Sequence, residues 1–346
     1  MLQSLPQNLP YKVAGAKMSS ENSSFNKISI VVQGAVTPVT KVVLNRLRAI
    51  FSGAELILST WEGSALDGLS YDKAILSPDP GPQVADEVAH LDNNVNRQLV
   101  TTSAGVKAAT RPYILKTRTD IFINSAGFLK YFERYDQEPS YIFQNRVLIC
   151  SYYTRNPRVM NICFHPSDWI LFGNAEDLRL YYCKIAFQTR EEAEWFKTHD
   201  KAKQLFTNFL SRFTPEQYIF ISFMRRFRDI PIDCYYDFDP ALMRLSEELY
   251  ARCFVVLDYQ AQLDIRFTKY DPNRYLEKHT IMAHWQWRAL YQRYCQEKIS
   301  VLWGIYCLYG IAWRSASFIR AVGIRIIDHL GLKETIKRFL TRIRQS

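Results

Sequence analysis

Short β-branched apolar runs, each closed by polar residues and spaced by loop and helical patterns, constrain this chain more than any other feature. Ile28–Gln33 is the first. It lacks polar alternation, as befits a strand buried on both faces. Gly34 breaks it, and Thr37-Pro38 offers a helix cap followed by proline at the first helical position. Val39, Val42, Val43, Leu47 and Ile50 then recur at helical spacing. Residues 55–60, 73–77 and 113–117 predict three further strands, and Asp92 a cap for a helix reaching Ala109. Such alternation predicts an α/β fold with a Rossmann-type, mostly parallel sheet flanked by helices.

In sheets of this kind ligands bind beyond the carboxyl ends of the strands. The polar residues fall there: Gln33-Gly34 after the first strand, Thr60-Trp61-Glu62 after the second, Asp79 after the third, Arg118-Thr119-Asp120 after the fourth. Four strand ends in succession carry more weight than any one of them. There is no G-x-G-x-x-G and no G-x-x-x-x-G-K-[ST], so the dinucleotide and P-loop signatures are missing.

The second half predicts strands at 141–143, 147–151, 168–173 and 253–257, and helices over 175–187 and 191–209. Thr214-Pro215-Glu216 repeats the cap-and-proline pattern and opens a helix through Phe227.

Composition narrows the class. Of 346 residues, 48% are apolar and 23% charged, which fits a globular chain and excludes wholesale disorder. The formal net charge is +10. Residues 314–346 hold eight Lys/Arg against two acids, so six of those ten charges belong to the tail. A nearly balanced body argues against nucleic acid as a partner, which needs a basic face on the folded domain. Seven widely spaced cysteines without C-x-x-C fit neither a disulfide framework nor a zinc knuckle, and predict free thiols in a reducing compartment. The first 26 residues carry no signal-peptide pattern and predict a flexible lead-in.

Residues 299–313 form an apolar run shorter than the roughly 20 residues a spanning helix needs. Beyond it, Ile336, Phe339, Leu340 and Ile343 form an apolar stripe accompanied by Lys337, Arg338, Arg342 and Arg344. This pattern predicts a basic amphipathic helix on an anionic membrane surface.

Several segments have side chains suited to chemistry. In Lys116-Thr-Arg-Thr-Asp120, a carboxylate beside two cations suits a divalent metal and phosphate oxygens, or a salt-bridged strand end. Asn94 and Arg97, in Asn93-Asn-Val-Asn-Arg-Gln98, open a helix whose N-terminus favours anions. His165-Pro-Ser-Asp168-Trp169 and Pro215-Glu216-Gln-Tyr218 each place a carboxylate beside an aromatic ring. The ring packs on the apolar face of a sugar, and the carboxylate binds hydroxyls or acts as a general base. His279 and His284 are five apart, which is not a same-face helical spacing. Lys269-Tyr270 follows the last strand within reach of a diphosphate.

Taken in order from residue 28 to about 225, these segments resemble the WavE family of bacterial lipopolysaccharide-synthesis proteins. The carriers are ISIVVQG at 28–34, GAELILSTW at 53–61, Asp79-Pro-Gly81, NNVNRQ at 93–98, LKTRTD at 115–120, SDWILFG at 167–173 and PEQY at 215–218. The resemblance implies a glycosyltransferase that moves a sugar from a nucleotide-sugar donor to a lipopolysaccharide core, O-antigen, capsular or lipid-linked glycan. It also implies a GT-A-like fold, in which an Asp-x-Asp motif holds Mn²⁺ or Mg²⁺ on the donor diphosphate. Here that triplet reads Arg118-Thr-Asp120, leaving Asp120 as the metal residue.

On this reading residues 27–125 bind the nucleotide sugar through Gln33, Gly34, Thr60, Asp79, Asn94, Arg97, Arg118 and Asp120. Residues 126–298 bind the acceptor, with Asp168 or Glu216 as catalytic base. Residues 299–346 hold the enzyme peripherally on the cytoplasmic face of the inner membrane. Two alternatives stay open: a nucleotidyl- or phosphotransferase on the same sheet, and a non-catalytic membrane-bound assembly protein.

Overall fold

The computed structural model describes residues 25–132, 134–135, 141–200, 208–268 and 279–329. Its core is a seven-stranded sheet. β1 (Ile28–Gln33), β2 (Glu55–Trp61), β3 (Lys73–Ser77) and β6 (Tyr113–Arg118) pair in parallel. β9 (Leu171–Asn174) runs antiparallel between β6 and β8 (Val147–Cys150), and β10 (Phe254–Leu257) closes the far edge parallel to β8. The order across the sheet is β10-β8-β9-β6-β1-β2-β3. A mostly parallel sheet with one reversed strand bears out the Rossmann-type, GT-A-like expectation. β1 is buried along its whole length, which is why its sequence shows no alternation.

Helices cover the sheet. α1 (Thr40–Ile50) buries Val43, Leu44 and Leu47. α2 (Val95–Ala108) crosses β1 and β2 so closely that a Cβ on Gly105 would stand 2.4 Å from Val31 Cγ1. α3 (Ala175–Tyr182), α4 (Arg190–Ala193) and α5 (Pro215–Met224) follow. α6 (Pro240–Cys253), capped by Asp239, runs straight into β10. α7 (His284–Tyr294) packs on α6 and β10, and α8 (Val301–His329) packs on α7.

Two small ladders were not legible from periodicity. β4 (Gln83–Asp86) pairs antiparallel with β5 (Leu91–Asn93), and β7 (Ile121–Ile123) with β11 (Ile265–Phe267). The second ladder fixes the chain just past Asp120, whose carbonyl also accepts from Thr268 Oγ1 at 3.0 Å.

Several boundaries differ from expectation. Thr37-Pro38 form the turn before α1 rather than its cap, and helix begins at Thr40. Asp92 lies in β5, and it is Asn93 whose Oδ1 accepts from the Val95 N–H at the start of α2. Residues 141–143 are bends, not strand. The helix at 175 stops at Tyr182. The helix foreseen over 191–209 is one turn, α4, followed by a 3-10 turn at Trp195–Lys197, and 201–207 lie outside the described residues. α5 ends at Met224, short of Phe227. The lead-in before residue 25, Lys269-Tyr270 and the 336–344 stripe also lie outside the described residues.

Candidate active site

The carboxyl ends of β1, β2 and β6 open into a cleft of about 560 Å³. Its near wall is built from the first half of the chain. Gly34 follows β1 with φ +119°, a conformation that favours glycine, and donates its N–H to the Ser59 carbonyl at 3.1 Å. Gln33 is oriented by Thr101, whose hydroxyl donates to its amide oxygen at 2.8 Å. Trp61, Asn94 and Arg97 face the same space, as do Arg118 and Asp120. The far wall comes from the second half: Tyr153, Trp169 and Glu216 at the N-terminus of α5.

Two Arg–Asp pairs stand on the near wall. Arg97 donates from Nε and Nη2 to Asp79 at 2.7 and 2.6 Å, and from Nη1 to Asn94 at 3.1 Å. That guanidinium holds the Asp79 carboxyl below its ordinary value. Arg118 reaches across one residue to Asp120, Nε to Oδ1 at 2.9 Å and Nη2 to Oδ2 at 3.1 Å. Its guanidinium also lies 4.6 Å from the Trp169 ring centroid. Trp169 stacks on Tyr153 at 4.9 Å, and Arg155 covers the other ring at 4.9 Å. The arrangement is a layered cation–aromatic stack along the cleft.

This donor set does not fit a divalent cation well. Hard cations take several oxygen ligands. Asp120 offers one carboxylate, both of whose oxygens already accept from Arg118. Among the described residues no group of three or more His, Cys, Asp or Glu is placed to hold a metal. Where the first carboxylate of an Asp-x-Asp motif would stand there is instead the Arg118 guanidinium, a group that pairs with phosphate oxygens.

Beneath the far wall lies a buried layer of charge. Lys116, in the middle of β6, is fully buried, and burial pushes its ammonium down to about 8. Its Nζ donates to the Asp168 carbonyl and lies 3.8 Å from Asp168 Oδ2. Neither carboxylate oxygen of Asp168 has a hydrogen-bond partner among the described residues, so Lys116 is its main compensation. Glu216 lies on the cleft side of this layer, 6% exposed, accepting from Trp169 Nε1 at 3.4 Å. Burial, then the Asp168 charge, push its carboxyl up to about 7. A first-turn position ordinarily favours a carboxylate; here desolvation outweighs the helix dipole. His165 Nε2 comes within 3.6 Å of Glu216, while burial drives the imidazole down to about 3. The contact is therefore with a neutral ring, not an ion pair. His165 Nδ1 faces the Tyr153 carbonyl at 2.9 Å and so carries the proton, leaving Nε2 an acceptor toward Glu216.

The structure thus gathers Gln33, Gly34, Asp79, Asn94, Arg97, Arg118, Asp120 and Glu216 around one cleft. It does not bring Thr60 or Asp168 to the wall. Thr60 is buried at the end of β2, 3.3 Å from the Ser64 hydroxyl. Asp168 is 1% exposed behind Trp169. Sequence reasoning missed Tyr153, whose loop follows a short buried strand and carries no motif. It also missed Lys116 as a buried group, although a lysine inside the apolar run 113–117 was the available signal.

The family model described as WavE lipopolysaccharide synthesis matches residues 28–322 of the chain. A search of curated proteins finds no match.

Proposed function

The chain belongs to the WavE lipopolysaccharide synthesis family, and from that premise we propose that it is a glycosyltransferase that moves a sugar from a nucleotide-activated donor to a core, O-antigen, capsular or lipid-linked glycan. The observation that carries this reading is the cleft itself. Arg118 at the end of β6 and Arg97 in the first turn of α2 face a buried carboxyl flanked by aromatic rings across a space of about 560 Å³. Cations suit a diphosphate, and rings beside a carboxyl suit a sugar. The first half of the chain then takes the donor and the second half the acceptor.

The chemistry follows from the placement. Arg97 and Arg118 hold the donor diphosphate, with Gln33 and Asn94 directed at the nucleoside. Gly34 lets the backbone approach it closely. The acceptor ring rests on Trp169 and Tyr153. Glu216, as carboxylate, takes the proton of the acceptor hydroxyl while that oxygen bonds to the anomeric carbon. The bond from that carbon to the diphosphate oxygen breaks, and the departing charge is met by guanidinium groups already in position. Asp168 stays behind the wall as a fixed negative charge that keeps Glu216 basic.

Incubation of the full chain with a panel of nucleotide sugars and a lipopolysaccharide-core acceptor tests this. One donor is expected to give a product heavier by one sugar, with a nucleoside diphosphate released. Because the residues around Asp120 suit a guanidinium better than a metal, transfer is expected to continue in excess chelator. A product carrying phosphate or nucleotide would replace the reading with a phospho- or nucleotidyltransferase. Loss of activity in chelator, restored by Mn²⁺ or Mg²⁺, would return Asp120 to a metal-holding role.

A further inference from the structure

Among the described residues the largest concentration of exposed apolar side chains lies far from the cleft in sequence, at the start of α8. Ile299 is 77% exposed, Val301 81%, Ile305 50%, Leu308 66% and Ile311 61%. Val301, Ile305, Leu308 and Ile311 recur at helical spacing and so share one outward face, and Gly304 and Ala312 on the same face are also exposed. No charged residue interrupts the segment between Lys298 and Arg314. Singly scattered apolar side chains are ordinary on a protein surface; a continuous stripe marks a surface that meets something apolar.

The opposite face of the same helix is fastened to the domain. Tyr306 is fully buried and its hydroxyl donates to Glu247 Oε1 at 2.9 Å and approaches Asn156 Oδ1 at 3.1 Å. Arg158 lies between the rings of Trp303 and Tyr306, at 4.9 and 5.1 Å, and pairs with Glu247. Gly310 packs against the Arg158 side chain, and Arg314 donates to the Arg158 carbonyl at 2.8 Å. The helix therefore cannot turn its apolar stripe inward. Nor does any helix of the described residues have the length and apolarity to cross a bilayer.

Charge decides the occupant. Residues 314–346, continuing directly from the stripe, hold eight Lys/Arg and two acids. A second copy docking on this face would bring two such segments together. An anionic lipid surface meets the same segment with opposite charge and accepts the apolar stripe at its hydrocarbon boundary. We propose that the outward face of α8, Val301-Ile305-Leu308-Ile311, is an in-plane membrane-docking surface for anionic phospholipid. This goes beyond the transferase reading and does not depend on it.

Cosedimentation of the full chain with phosphatidylglycerol/phosphatidylcholine vesicles tests the surface. The wild type is expected to sediment with anionic vesicles and to lose at least about tenfold in partitioning with pure phosphatidylcholine. L308E/I311E places two carboxylates on exposed positions, so its melting temperature should stay unchanged while vesicle binding falls about tenfold or more. The proposal is overturned if wild type ignores anionic vesicles or if the double variant binds them as well as wild type. It is equally overturned if the wild type sediments as a dimer that L308E/I311E dissociates, since the face would then belong to a second copy. The readout is binding to lipid, so a failure here leaves the transferase reading standing, and an absence of sugar transfer leaves this surface standing.

Discussion

Glu216→Gln lowers the transfer rate by about 10²–10⁴-fold while nucleotide affinity stays at the wild-type level. The amide keeps the shape of the side chain and its capacity to accept from Trp169 Nε1 but cannot take a proton. The groups proposed for the nucleotide lie on the other wall, so binding is expected to be spared. The pH profile carries the sharper signature. With the Glu216 carboxyl raised to about 7, the carboxylate fraction, and with it the rate, should fall about tenfold per pH unit below neutrality. Burial is the largest cause of this rise, and the neighbouring groups adjust it. Asp168 raises it, Arg155 and the Trp169 N–H lower it, and His165 is neutral. Asp168→Asn should therefore move the acid limb to lower pH. The stability effect has a definite sign. A carboxyl whose folded value lies above its ordinary 4.5 stabilises the fold below that pH and loses the contribution as pH rises through 7. In Glu216→Gln this decline between pH 4.5 and 7 should vanish from denaturation curves. A variant with unchanged rate, or an unchanged acid limb in Asp168→Asn, would remove Glu216 from the mechanism.

Lys116→Met lowers folding stability by about 3–5 kcal/mol, because it leaves the buried Asp168 carboxylate without its cation. Neither partner has access to water: Lys116 is 0% and Asp168 1% exposed. Removing both charges, in Lys116→Met/Asp168→Asn, should recover much of the loss, since the unpaired charge rather than the lost pair dominates the cost. Urea denaturation of the wild type and the two variants checks this. The wild type adds a pH signature. Burial holds the Lys116 ammonium at about 8 against an ordinary 10.5, so the unfolded chain binds the extra proton between those values. Stability is depressed below pH 8 and recovers as pH rises toward 10.5. Lys116→Met should lack that rise. A single variant as stable as the wild type would mean the two groups are compensated by something other than each other.

Much of the near wall was legible because strand ends announce themselves. In the runs ending at Gln33 and Ser77, and in the one ending at Arg118, apolar residues stop and polar ones begin where the chain leaves the sheet. The Pro-N1 and capping pattern likewise located α5, where Thr214 and Gln217 form a reciprocal capping box. Thr60 obeyed the same rule and still turned away from the cleft, because strand position fixes where a residue stands and not which face it takes. Asp168 and Glu216 read alike as carboxylates beside aromatics. Only tertiary packing puts one behind Trp169 and the other in front of it. The β7–β11 ladder was illegible for a related reason: its three-residue strands, 142 positions apart at Ile123 and Ile265, have no local period to detect. The outward stripe of α8 was visible as an apolar run, but its exposure depends on Tyr306 and Arg314 fastening the other side.

On the proposed reading Arg118 at the end of β6 and Arg97 in the first turn of α2 receive a nucleotide diphosphate. Calorimetric titration of the wild type and Arg118→Ala with uridine, cytidine, guanosine, adenosine and deoxythymidine diphosphates tests it directly. At least one nucleotide is expected to bind the wild type, and Arg118→Ala to weaken it by about tenfold to a hundredfold, the worth of a charge-assisted hydrogen bond to phosphate. No heat with any nucleotide, or equal affinity in Arg118→Ala, would contradict the account.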